Sequence, residues 1–178
     1  MRTRPARKRM INWQYYPRST SCPDHLLKVV AVFETVSDQI DSSTHEVQVS
    51  DVVLAKVRSG LVAEGFEVES SKKKADKVHV PVFFGPGGKP QQSFEADAWH
   101  RGDGVVLEVE AGRAVVNYQF LKDLFQACMM QDVEYLSIAV RNVYRKAKDW
   151  EKVCTFFETM YASSRLELPL KGVLIIGY

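Results

Sequence analysis

Residues 94–113 read Phe94-Glu95-Ala96-Asp97-Ala98-Trp99-His100-Arg101-Gly102-Asp103-Gly104-Val105-Val106-Leu107-Glu108-Val109-Glu110-Ala111-Gly112-Arg113. The Gly/Asp cluster at 101–104 is a turn signal, and both flanks alternate as strands do. With Arg101–Gly104 as the loop, His100 pairs with Val105. Side chains then alternate across the ribbon. Glu95, Asp97 and Trp99 share one face of the first strand. Glu108 and Glu110 share a face of the second, with Leu107 and Val109 on the other. Counting back from the turn sets Asp97 opposite Glu108 and Glu95 opposite Glu110. Like charges directly opposite on a sheet repel. The pattern therefore predicts a cation between them.

A divalent cation of the Mg²⁺ type suits the donors. Such an ion takes one or two carboxylates and fills its octahedron with water and phosphate oxygens. Asp97 and Glu108 are the candidate metal ligands. Glu110, two residues on and facing the same way, is a candidate to orient or deprotonate the attacking water. Arg113, at the strand exit, is a candidate phosphate contact or partner for Glu110. The plain alternative is a wet sheet face, which also carries acids. Four acids on one face without a lysine among them are poor surface charge mixing, which weighs against it.

Around this hairpin the chain alternates helices and strands. Asp24 is expected to cap a helix over 25–40. The stretch 41–44 breaks it. A second helix, with Val53, Leu54, Val57, Leu61 and Val62 at helical spacing, runs to about Glu64 and stops at Gly65. A short strand follows at 66–69, then a basic turn with Lys72, Lys73, Lys74 and Lys77. Residues 78–84 are extended, and Pro81 points to an edge or a bulge. The loop 85–90 has Gly and Lys but not the spacing of a phosphate-cradling loop. Residues 117–130 read as a helix, with Asn117 as its cap and Leu121, Leu124, Phe125 and Cys128 as its apolar stripe. A buried strand at 135–140, a basic segment with Arg141, Arg145, Lys146 and Lys148, a helix over 149–162 and an apolar strand at 173–176 complete the chain. This order predicts an α/β fold, mixed α+β, with helices covering a sheet.

The bulk properties set limits. At 178 residues and 46% hydrophobic, the chain suits one domain over residues 24–178. Residues 1–23 read as a basic, flexible arm, because Arg2, Arg4, Arg7, Lys8 and Arg9 crowd the first ten positions without an acid. Such an arm is either a solubilising terminus or a phosphate-neutralising one. Cys22, Cys128 and Cys154 are odd in number and scattered, which argues against a zinc ribbon or a disulfide framework. A cytoplasmic setting is expected, with no secretion signal and no membrane association. The four histidines give no ligand spacing. His100 is expected as a turn residue and Trp99 as a core lid.

At the hairpin, over roughly residues 45–145, the chain resembles the PD-(D/E)XK, or restriction endonuclease-like, superfamily. Asp97 matches the metal-binding Asp of that pattern. Glu108-Val109-Glu110 matches its (D/E)-x-K element, with Glu110 where the family usually has Lys. No Pro precedes Asp97. A further helix Glu found in many members has only a weak candidate in Glu46. The resemblance implies a restriction endonuclease-like core, a central mixed sheet flanked by helices. It also implies a Mg²⁺-dependent nuclease, with Mn²⁺ as substitute, cleaving DNA in restriction or repair as a homodimer. Asp97 and Glu108 would hold metal, and Glu110 and Arg113 would assist. Two other classes stay open: a catalytically inactive nucleic-acid-binding module of the same fold, and an α/β interaction protein whose acidic face is wet.

Overall fold

The computed structural model describes residues 11–45 and 49–178. Its elements are β1 (Asn12–Tyr16), α1 (Asp24–Thr35), α2 (Ser37–Ile40), α3 (Ser50–Ala63), β2 (Glu67–Val68), β3 (Val78–Phe84), β4 (Pro90–Ala96), β5 (Ala98–His100), β6 (Val105–Glu110), α4 (Gln119–Met129), β7 (Tyr135–Val140), α5 (Asp149–Ser163) and β8 (Gly172–Gly177). Six strands form one mixed sheet in the order β1-β8-β7-β6-β5-β2. The central three run parallel, while β1, β5 and β2 pair antiparallel with their neighbours. β3 and β4 form a separate two-stranded ribbon.

Helices cover both faces, so the central strands must be apolar on both sides. All six residues of β8 are buried, and five of six in β7. Alternation sorts β6 between two cores. Leu107 and Val109 pack with Phe33, Val57 and Leu61 from α1 and α3. Val106 packs on the opposite side with Phe120, Leu124 and Phe157 from α4 and α5. Each such buried aliphatic or aromatic side chain contributes about 1.5–3 kcal/mol relative to exposure. The mixed α+β architecture is the one expected from the order of elements. Among the described residues no helix is long and apolar enough to cross a membrane.

Several local expectations change. Residues 12–16 are not part of an irregular arm: they pair with residues 173–177 of β8, and Tyr15 and Tyr16 are buried. The basic residues 1–10 lie outside the described residues, as does Glu46. The first helix breaks at Val36 (φ −110°), and Pro23 occupies the cap position expected for Asp24. The bulge foreseen at Pro81 is present, as a register shift between Pro81 and Phe83. Asn117 is not the cap of α4; Tyr118 takes that position, left-handed at φ 50°.

The acidic hairpin is half as expected. His100 pairs with Val105, Trp99 with Val106 and Ala98 with Leu107. The ladder then stops. The chain bends at Asp97, and β4 leaves to pair with β3, where Glu95 lies opposite His79 rather than Glu110. Glu95 is exposed and pairs with Lys77 at 3.6 Å. It is therefore removed from the acidic cluster.

Candidate functional site

Asp97 sits in the bend between β4 and β5, tied on both sides. Its carbonyl accepts from the Glu69 amide at 2.8 Å, and its Oδ2 accepts from the Val109 amide at 2.7 Å. The second bond reaches across to β6 just past the end of the ladder. The alternation of β6 turns Glu108 and Glu110 away from Leu107 and Val109 and toward α4. There they meet Asp123, which is 4% exposed. Asp97, Glu108 and Glu110 are each half-buried: recessed within the protein, yet open to solvent along part of their surface.

Four carboxyl groups in a recess of low dielectric cannot all hold charge at ordinary pH. Burial pushes Asp97 up to about 6, against the opposing Val109 hydrogen bond. It raises Glu108 well above the carboxylate range, helped by the charges of Asp97 and Asp123. Glu110 rises to about 8, from burial first and then from Asp123 and Asp97. Asp123 rises to about 7, again from burial, with Lys122 opposing. Glu110 and Asp123 act on each other directly, so the two carboxyl groups share the recess on the α4 side. Asp123 Oδ2 is buried with no hydrogen-bond partner among the described residues. A buried, unpartnered carboxylate oxygen is costly and calls for a donor or a cation.

Asp97 lies within electrostatic reach of Glu108 and Glu110, although the backbone ladder ends one pair short of it. Arg113 is not brought into the group. It is exposed beyond the end of β6, and among the described residues it forms no ion pair. The cation acting on Glu108, Glu110 and Asp123 is Lys122 of α4. Lys72 and Lys77 act on Asp97. Lys77 bridges Glu69 at 2.8 Å beside it.

Asp123 and Lys122 are the residues sequence reading missed. The apolar stripe expected on α4 included Phe125, which is 59% exposed. The buried stripe is Phe120, Asp123, Leu124 and Ala127. An acid at i+3 of an otherwise apolar stripe was the available signal. His100 is the expected turn residue: its Nδ1 accepts from the Asp103 amide at 3.0 Å, and its ring meets Phe66 edge-on. Trp99 is buried, with the Arg101 guanidinium 4.2 Å above its ring.

The donors are all carboxylate oxygens, a hard set suited to Mg²⁺ or Mn²⁺. Among the described residues no three His, Cys, Asp or Glu side chains converge as a metal-ligand set. One or two carboxylates with water remain enough for Mg²⁺. No protein-family model matches the chain, and no curated protein or solved structure matches it either.

Proposed function

We propose that this chain is a Mg²⁺-dependent nuclease that hydrolyses phosphodiester bonds in DNA. The observation that carries the reading is the acidic group itself: Asp97 tied to the Val109 amide next to Glu108, its charge acting on Glu108, and Asp123 Oδ2 buried without a hydrogen-bond partner among the described residues. Their mutual repulsion is relieved by a cation, and Asp97 and Glu108 would hold it. The order of elements supports the restriction endonuclease-like core that the sequence resembles. It runs α3, β2, β5 with Asp97 at its entry, β6 with Glu108, α4 and β7, the β3–β4 ribbon being inserted.

When bound, Mg²⁺ supplies Lewis-acid polarisation of the phosphodiester and lowers the pKa of water in contact with it. Glu110, on the same face of β6 as Glu108, would orient the attacking water. Asp123 lies against Glu110 from the α4 side and would steady that carboxyl. Lys122 offsets the charge of the group from the helix side.

The test is cleavage of plasmid and linear DNA with Mg²⁺ or Mn²⁺ by the native protein and by Asp97→Ala. Metal-dependent cleavage lost in the variant supports the reading. A second reading, a nucleic-acid-binding module without catalysis, is favoured by Glu110 at the position where the resembled family carries Lys. It predicts DNA binding that Asp97→Ala leaves unchanged, and no cleavage with either metal.

A further inference from the structure

The loop after β7 is built against the end of β6. A Cβ placed on Gly112 would lie 2.6 Å from the Tyr144 ring, so the ring rests against bare backbone there. The Asn142 amide donates to the Tyr178 carbonyl at 2.7 Å, and the Tyr178 hydroxyl donates to the Glu110 carbonyl at 2.9 Å. Tyr144 and Ala147 exchange backbone hydrogen bonds at 2.8 and 2.7 Å, closing a tight turn. The two residues inside it, Arg145 and Lys146, are left-handed at φ 45° and 68°. Non-glycine residues adopt this conformation at a cost and keep it where surrounding contacts impose it. Here the turn holds two cationic side chains out toward solvent.

Beyond the turn lies an open groove of about 580 Å³, lined by Lys146, Ala147, Lys148, Glu151, Lys152 and Thr155. Lys148 pairs with Glu151 at 2.9 Å. Lys146 and Lys152 form no ion pair with a described residue, so the groove carries excess positive charge. The turn that leads into it rests on Gly112, two residues past Glu110, through the Tyr144 ring.

We propose that this groove is the track for the DNA backbone on its way to the carboxylates, with Arg145, Lys146 and Lys152 contacting successive phosphates. The proposal rests on the nuclease reading and adds the substrate's path. The acidic recess repels phosphate, so affinity must come from cations that the fold places beside it. Tyr144 forms the shelf between the two, its ring flanked by Arg141 at 5.1 Å and Arg145 at 5.2 Å.

The test is binding of a fluorescent 20-base-pair duplex in chelator, where cleavage cannot proceed, over a salt series. The native protein is compared with Lys146→Glu/Lys152→Glu and with the milder Lys146→Gln/Lys152→Gln. Both positions are exposed, and circular dichroism checks the fold. Each lost phosphate contact lowers the slope of log K against log salt by about 0.9 on duplex DNA. The expected result is binding at least about tenfold weaker, with a slope smaller by about 2. Equal affinity and slope in native protein and variants, with native cleavage intact, overturns the groove and leaves the nuclease reading standing. Failure of the native protein to bind the duplex overturns both. Preference for RNA of the same sequence overturns the DNA assignment.

Discussion

The amide of Val109 donates a 2.7 Å hydrogen bond to Oδ2 of Asp97, one residue past the last paired position of the β5–β6 ladder. A side chain here replaces the backbone partner that β4 withdraws when it turns away to β3. The bond fixes the carboxylate's direction and leaves Oδ1 for a ligand.

Asp97→Ala therefore loses both a ligand and a strand tie. Cleavage is expected to fall by roughly 10² or more, the scale of removing one preorganised charge-stabilising group. Asp97→Asn keeps an acceptor for Val109 and removes a recessed charge. In chelator its melting temperature is expected to match or exceed the native one. A plasmid assay and a thermal melt on both variants check this, and a marked loss of stability in the Asn variant counts against it.

Stability should fall as pH rises. Asp97, Asp123 and Glu110 are raised from ordinary values of 3.8, 3.8 and 4.5 to about 6, 7 and 8. Between the ordinary and raised values the folded chain binds more protons than the unfolded chain, so unfolding becomes easier with increasing pH. The window runs from about pH 4 to about 8. Melting in chelator at pH 5 and pH 8.5 measures it, and Mg²⁺ or Mn²⁺ should restore part of the loss at the higher pH. A flat profile without metal would remove the electrostatic account.

Asp123→Asn separates charge from packing. It takes one negative charge from beside Glu108 and Glu110 while keeping the volume. The metal-free protein is expected to melt roughly 2–4 °C higher for each kcal/mol of relieved repulsion. The stabilisation gained on adding Mn²⁺ should shrink at the same time. An unchanged Mn²⁺ response would place Asp123 outside the metal's influence.

Gly112→Ala strikes the joint between recess and groove. Gly112 sits at φ +86°, and its added methyl would press the Tyr144 ring. Strain of this kind costs about 1–3 kcal/mol. Chemical denaturation is expected to show that loss, with DNA affinity falling as well. Normal affinity in a destabilised variant would argue that the shelf plays no part in binding.

How far the sequence reaches can be seen at four places. The His100–Val105 pairing follows from the turn chemistry of 101–104, because a tight loop sets register locally. Glu95 escaped prediction because nothing local reveals that Asp97 ends one sheet and begins another. That bend is decided by β3, a partner 15 or so residues upstream. Residues 12–16 read locally as part of the arm because the stretch Asn-Trp-Gln-Tyr-Tyr is polar and aromatic by turns. Its strand identity comes from β8, more than 150 residues away. Asp123 was hidden by an apolar helix pattern read slightly off its true face. The local chemistry of β6 was legible, and the elements that close over it were set by long-range packing.

The two-residue rhythm of β6 makes length, rather than composition, its most sensitive property. Inserting or deleting one residue between Val105 and Glu110 would swap the sides of the strand. Glutamates would be driven beneath Phe33 and Leu61, and a valine would take the place of a carboxylate in the recess. Point changes there should be graded in effect, whereas a frame slip should abolish folding and chemistry in one stroke.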